Sequence, residues 1–168
     1  AAAVFAPQKG ASPEQIIMLD NQLCLWSDLL KQNTGKDITQ LKHGGAAGGI
    51  TAAMYALLNA QLISGSEYCL TLSRFHDNLL QAGVVITGEG KIDLQSFYGK
   101  IPGTVANLCQ KHNVPVYAVV GLAEKQVLTR FDKVFIMSQY TRSIQDSIKN
   151  APHYLKIISQ AIVETLYL

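Results

Sequence analysis

Residues 114–120, Val-Pro-Val-Tyr-Ala-Val-Val, run without a single charged side chain and are closed by Gly121. A strand that is apolar on both sides needs cover on both faces, which is the pattern of a parallel sheet sandwiched by helices. A shorter run, Val84-Val85-Ile86, precedes it and stops at Thr87, and a third, Val134 to Met137, follows. Helical patterns fill the intervals, from about Pro102 to Lys111 and again near residues 124–130. Strand, helix, strand, helix, strand at this spacing predicts crossover connections and a parallel sheet. Two helices, about 143–150 and 153–167, close the chain.

The first part of the chain lacks that alternation. Ser12-Pro13-Glu14-Gln15 is a helix start: Ser12 caps, Pro13 suits the first helical position, and Gln15 completes a capping box. Ile16, Leu19, Leu23, Trp26 and Leu30 follow at three- and four-residue steps and predict one apolar face, ended by Asn33-Thr34-Gly35. An Ala-rich helix is expected from about Gly49 to Leu62, before Ser64-Gly65. Residues 66–82 are expected to hold short helices with Phe75, Leu79 and Leu80 inward. The expected fold class is thus α/β. Residues 79–168 form a parallel sheet portion with helices on both faces, and residues 1–78 are a helix-rich segment of a second lobe.

Composition narrows the function classes. The chain has 168 residues, 48% hydrophobic and 15% charged, enough apolar material for a core. A formal net charge of +2 gives no field suited to nucleic acid or an anionic membrane. No apolar run approaches the roughly 20 residues of a membrane span. Cys24, Cys69 and Cys109 are far apart and have apolar neighbours, so they read as small core residues in a reducing compartment, without a CxxC pair. With no charged-then-apolar leader, the expectation is a cytoplasmic protein. There is no initiator Met, and Ala1 to Phe5 reads as the inside of a folded region, so the chain is expected to be part of a longer polypeptide.

Charge and glycine concentrate in residues 84–100, VVITGEGKIDLQSFYGK. Two glycines flank a carboxylate (Gly88, Glu89, Gly90), a second carboxylate follows at Asp93, and Lys91 and Lys100 supply positive charge. A dinucleotide fingerprint would place a third glycine at Asp93. A carboxylate there repels a bare pyrophosphate unless a divalent cation lies between them, which favours metal–phosphate chemistry. One helical turn would bring Glu89 and Asp93 together to hold Mg²⁺ or to accept a proton from an attacking hydroxyl. The plainer reading is an ordinary strand-to-helix turn with a solvated carboxylate and a capping Asp.

A second glycine segment, Gly44-Gly45-Ala46-Ala47-Gly48-Gly49, leads into a helix. Backbone N–H groups there can approach a phosphate or carboxylate at a helix N-terminus. The spacing of Gly44 and Gly49 is that of a Walker A loop, but Ile50 stands where the lysine should, leaving Thr51 alone. Close packing of small residues against a neighbouring helix explains the same composition. Lys9, in the turn Pro7-Gln8-Lys9-Gly10, is either solvated or an anion partner. The four histidines lack metal-ligand spacing, and His43 alone stands beside the glycine segment. No GxSxG nucleophile elbow occurs.

Together these segments resemble the bacterial class I glycerate kinase family. The resemblance rests on Phe5-Ala6-Pro7-Gln8-Lys9-Gly10-Ala11, on Gly45-Ala46-Ala47-Gly48-Gly49, and on Thr87-Gly88-Glu89-Gly90-Lys91-Ile92-Asp93 with Gln95, Gly99, Lys100 and Pro102. Val114-Pro115-Val116 with Gly121 also fits. Ser96 stands where the family usually has Thr, and Gly103-Thr104 replaces a small-then-Gly-Val pattern. The family's amino-terminal strand, its Ser/Lys loop and a later Gly-rich segment have no counterpart here, which implies the carboxy-terminal portion of such an enzyme.

The resemblance implies a two-lobed protein with a Rossmann-like sheet built from both chain ends and an active site between lobes. The implied reaction transfers the ATP γ-phosphoryl group to D-glycerate with Mg²⁺, giving 2-phosphoglycerate. Glu89, Asp93 and Lys91 are then the expected catalytic residues, with Glu89 and Asp93 also the metal ligands. Lys9, Gly45, Ala46, Ala47, Gly48, Gly88, Gly90, Gln95 and Lys100 are the expected substrate and phosphate contacts. A partial chain would expose apolar surface, so a homo-oligomer is a further expectation. Two competing readings stand. One is a non-catalytic nucleotide- or carboxylate-binding fragment that needs its missing portion. The other is an NAD-linked oxidoreductase, disfavoured by Asp93 and by Lys111, His112 and Asn113 where an acidic ribose partner should be.

Overall fold

The computed structural model describes residues 2–167 and divides into two compact units between Ser64 and Gly65. Leu70 and Leu79 both belong to the core of the second unit.

The first unit holds a short helix α1 (Ala2–Phe5), in which Ala2 is buried while Val4 and Phe5 are exposed. Helix α2 (Pro13–Thr34) starts where the capping box predicts. The Gln15 N–H donates to Ser12 Oγ at 3.3 Å, and the Ser12 N–H donates to Gln15 Oε1 at 2.8 Å. Gly35, at φ +73°, ends the helix by donating to the Lys31 carbonyl at 2.8 Å. Ser12→Ala removes one half of the box and is expected to destabilise the chain by about 1 kcal/mol. Thermal unfolding followed by circular dichroism checks this, and an unchanged midpoint would contradict it.

Helix α3 (Ile50–Leu58) is shorter than expected, since Asn59 turns left-handed at φ +56° and donates its N–H to the Met54 carbonyl. The Lys36 ammonium covers this helix end, donating to the carbonyls of Tyr55 and Ala56 at 3.0 and 3.3 Å and to Asn59 Oδ1. A cation there meets the negative end of the helix dipole. Ala52 and Ala56 are the buried face of α3, which packs on α2.

The second unit opens with helices α4 (Gly65–Leu72) and α5 (Phe75–Leu79). Leu79 is fully buried and Phe75 packs on the core, whereas Leu80 is exposed rather than inward. Three parallel strands follow in sheet order: β1 (Val85–Ile92), β2 (Val116–Ala123) and β3 (Lys133–Ile136). Helix α6 (Ile101–His112) connects the first two, and α7 (Ile144–Lys149) and α8 (Ala151–Tyr167) end the unit.

The continuous apolar run of β2 is explained by cover on both faces. Val116, Ala118 and Val120 pack with Val105, Ala106 and Cys109 of α6, while Tyr117 and Val119 pack with Ile158 and Ile162 of α8. Asp132 holds the entry ends of β2 and β3 together. Its carboxylate accepts from the Val116 N–H at 2.7 Å, and its own N–H donates to the Val116 carbonyl at 2.9 Å.

The largest departure is the length of β1. It runs on through Gly88-Glu89-Gly90, which the sequence places in a loop, and Gly88, Glu89 and Lys91 pair with Val119, Val120 and Leu122. The glycines serve close approach: a Cβ on Gly88 would stand 2.8 Å from the Val119 carbonyl oxygen, and one on Gly121 only 2.4 Å from that of Gly90. Gly121 therefore lies within β2 rather than ending it.

Of the cysteines, only Cys109 is a core residue; Cys24 and Cys69 are exposed. Burial, and secondarily the charge of Asp132, pushes the Cys109 thiol up to about 11. Its folded value lies above the unfolded one. Its contribution to stability is full below the ordinary thiol range, about 8.5, and is lost as pH rises through about 11. At pH 8.5 iodoacetamide is expected to alkylate Cys24 and Cys69 in the native state and Cys109 only after unfolding, as peptide mass mapping would show. Among the described residues no helix is long and apolar enough to cross a membrane.

Candidate active site

The carboxyl end of β1 gathers most of the charged residues singled out in the sequence. In open α/β sheets this is the end at which ligands bind. Glu89 is in the strand itself, and Asp93 is the first residue beyond it. No helical turn joins them, because the strand keeps its extended pitch through Glu89. They are linked instead through Ser96, which lies in a turn of 3₁₀ helix (Leu94–Phe97). The Ser96 hydroxyl donates to Glu89 Oε2 at 2.7 Å and accepts the Asp93 N–H at 3.2 Å.

Asp93 caps that turn, accepting the Gln95 N–H on Oδ1 at 2.9 Å. The plain capping reading of Asp93 is thus realised, and its second oxygen still faces charge: Lys91 Nζ stands 3.5 Å from Oδ2. Lys100, the residue before α6, donates to Glu89 Oε1 at 3.1 Å. Glu89 and Asp93 side chains are largely enclosed, at 22% and 17% exposure, while Lys100 and Lys91 remain about half exposed at 47% and 53%. Two shielded carboxylates each face a half-exposed ammonium.

Glu124 completes the group and was missed by sequence reasoning. Lys91 donates to its Oε1 at 3.1 Å, and the Glu124 N–H donates to the Ile92 carbonyl at 3.0 Å. The Glu124 hydrogen bond, then its charge, raises the Lys91 ammonium above the ordinary lysine value; Lys91 in turn lowers Glu124. The parallel register Lys91↔Leu122 and Ile92↔Ala123 carries Glu124 to the level of Asp93, within reach of the Lys91 side chain. The only available signal was its place just beyond the second parallel strand. The Gly88 and Gly90 backbones belong to β1, with Gly88 paired to Val119. Above them opens an apolar cleft of about 920 Å³, walled by Ile148, Leu155 and Ile158 among others.

The first unit assembles the other expected set. Lys9, Gly45, Ala46, Ala47 and Gly48 line one mostly apolar cavity of about 470 Å³, together with Phe5, Leu19 and Leu23. Ala47, Gly48 and Gly49 are successively left-handed, at φ +50°, +74° and +99°. For Ala47 that conformation costs roughly 1–2 kcal/mol, a strain of the kind concentrated at ligand-holding loops. Thr51, the Walker-like hydroxyl, is turned inward: its Oγ1 reaches the carbonyls of His43 and Gly44 at 2.9 and 3.0 Å and pins the loop to α3. A Cβ on Gly49 would meet Leu23 Cδ2 of α2 at an ordinary 3.7 Å, so it is the left-handed φ of +99°, and not close packing, that calls for glycine there.

Among the described residues no group of three or more His, Cys, Asp or Glu side chains is placed to enclose a metal ion. The Glu89–Asp93 pair offers hard carboxylate oxygens, which suit Mg²⁺. That ion is commonly held by one or two carboxylates, with water and substrate oxygens completing its shell.

Comparison with known proteins agrees over the whole chain. Residues 1–167 match the model of the glycerate kinase family. The glycerate kinase of Halalkalibacterium halodurans is 43% identical over 121 residues, covering 72% of this chain and 32% of that protein. The glycerate 2-kinase of Escherichia coli K12 is 41% identical over 121 residues, with the same coverage of 72% and 32%. A crystal structure from Salmonella typhimurium LT2, of a protein assigned as glycerate kinase 2, superposes with a TM-score of 0.62 at 38% identity, covering 99% of this chain and 44% of that one. The chain therefore spans between a third and a half of the length of these relatives.

Proposed function

The chain belongs to the glycerate kinase family, and we propose that it is the carboxy-terminal portion of an enzyme that phosphorylates D-glycerate from ATP, giving 2-phosphoglycerate. The observation that carries this reading is the cluster at the end of β1, where two shielded carboxylates and two half-exposed lysines meet around Ser96. Phosphoryl transfer asks little covalent chemistry of a protein and much positioning and charge neutralisation.

In the proposed reaction a glycerate hydroxyl oxygen attacks the γ-phosphorus, the bond from phosphorus to the bridging oxygen breaks, and ADP leaves with the electron pair. Glu89 or Asp93 takes the hydroxyl proton. Lys91 and Lys100 turn from their carboxylate partners toward the phosphate oxygens. Gly88, Gly90 and Gln95 shape the turn that receives them. Lys9 and the N–H groups of Gly45 to Gly48 meet the glycerate carboxylate or a phosphate. Glu89 and Asp93 would hold Mg²⁺, which supplies charge neutralisation for the transferring group when bound.

The two kinase lobes are proposed to divide the chain near 78/79, with the later residues part of a Rossmann-like sheet, and the enzyme is proposed to be cytoplasmic. Ile17, Met18, Leu25 and Leu29 form an exposed apolar row on α2, which supports self-association of the chain as isolated.

The decisive experiment incubates the full-length protein with ATP, Mg²⁺ and D-glycerate and identifies the product by phosphorus NMR. ADP and 2-phosphoglycerate in equal amounts are expected; no glycerate-dependent ADP would sink the proposal. Calorimetry of residues 1–168 alone with the same ligands separates kinase from binding fragment: heat without turnover marks the second.

A further inference from the structure

Ser96 is a polar side chain with no solvent exposure at all, set against the Glu89 carboxylate and the Asp93 backbone. Its hydroxyl has one proton to give and gives it to Glu89 Oε2 at 2.7 Å. The same oxygen accepts the Asp93 N–H at 3.2 Å, and the Ser96 N–H returns to the Asp93 carbonyl at 3.0 Å. The single proton of the hydroxyl is therefore committed to Glu89, and one of its two acceptor lone pairs to the Asp93 N–H.

The turn that carries Ser96 is held from behind. Phe97 packs against Phe131 with ring centroids 5.9 Å apart and planes tilted by 55°, and the Arg130 guanidinium lies 4.7 Å from the Phe97 centroid. The α6 backbone at Gly103 presses so close that a Cβ there would stand 2.3 Å from the Ser96 carbonyl oxygen. The hydroxyl thus has a fixed position. Glu89 has a second partner in Lys100, but that lysine is half exposed, and such pairs fix geometry weakly.

We infer that Ser96 is a positioning residue: its buried hydroxyl clamps one oxygen of Glu89, so that the other oxygen is presented to Lys100 and the reacting groups. The inference rests on the proposed role of Glu89. A glutamate has three rotatable side-chain bonds, and without the clamp its carboxylate samples orientations that do not serve the reaction. A purely structural serine, needed only to complete the turn, would show itself in stability instead.

The test uses the full-length enzyme with ATP and D-glycerate. Ser96→Ala is expected to lower kcat by about 10- to 100-fold, the range seen when a group that orients a ligating side chain is removed, with KM for glycerate changed less than about twofold. Ser96→Cys fills the same space with a weak donor and is expected to lose kcat similarly while keeping its melting temperature, so the question remains answerable if the alanine variant folds poorly. Ser96→Thr keeps the hydroxyl and is expected to retain most of kcat. In a Glu89→Gln background, Ser96→Ala is expected to add less than about a twofold loss.

An unchanged kcat in Ser96→Ala beside an impaired Glu89→Gln overturns the inference alone. So does an equal Ser96→Ala loss in both backgrounds. A Glu89→Gln enzyme with unchanged kcat removes the reading beneath it, and the inference with it.

Discussion

Asp93→Asn in the full-length enzyme is expected to lower kcat by roughly 10²–10⁴-fold, the contribution of a positioned acid or base. The substitution separates charge from architecture. Asn caps helical turns as well as Asp does, so the 2.9 Å hydrogen bond from the Gln95 N–H to Oδ1 has a surviving acceptor. What disappears is the negative charge facing Lys91 at 3.5 Å. That pair is partly exposed and adds little to stability, so the melting temperature is expected to stay within a few degrees. Steady-state kinetics beside calorimetry decides the matter. A folded Asp93→Asn enzyme with the parent kcat would reduce Asp93 to a cap.

Gly103→Ala is expected to do the reverse and strike the fold first. In an ordinary helix the change from glycine to alanine stabilises by close to 1 kcal/mol. Here the new methyl would lie 2.3 Å from the Ser96 carbonyl oxygen and 2.7 Å from the Phe97 Cα, both backbone atoms of a turn with no free side to retreat to. The overpacking cost outweighs the helical gain, with a net loss of about 3 kcal/mol expected, equivalent to a fall of roughly 6–12 °C in melting temperature for a chain of this size. Scanning calorimetry of the isolated chain suffices, since the contact lies wholly in the second unit. A melting temperature at or above that of the parent would show that α6 and the turn can separate freely.

Local chemistry was legible in the sequence where one stretch of chain decides the outcome. The capping box at Ser12 fixed the start of α2, and the uncharged run at 114–120 announced a strand with two covered faces. The errors arise where a second segment decides. Gly88-Glu89-Gly90 reads as a loop because glycine disfavours strands on its own; only the approach of Val119 and Gly121 shows that absent side chains let the strands meet. Leu80 and Leu79 are indistinguishable by hydropathy, and packing alone buries one and exposes the other. Glu124 enters the site through strand register, which no spacing within its own segment encodes. No helical turn joins Glu89 and Asp93; a buried serine hydroxyl bonds the Glu89 carboxylate and the Asp93 N–H instead.

Gly88 and Gly121 also bear on how such a sequence can change over generations. Each is blocked by the backbone of the opposite strand, so every amino-acid replacement at either position introduces a Cβ with nowhere to go. Changing one without the other gives no relief, because the two collisions involve different carbonyls, those of Val119 and Gly90. Geometry therefore closes both positions at once. At Glu89 between them the demand is of another kind, for an acceptor that meets Ser96 and Lys100.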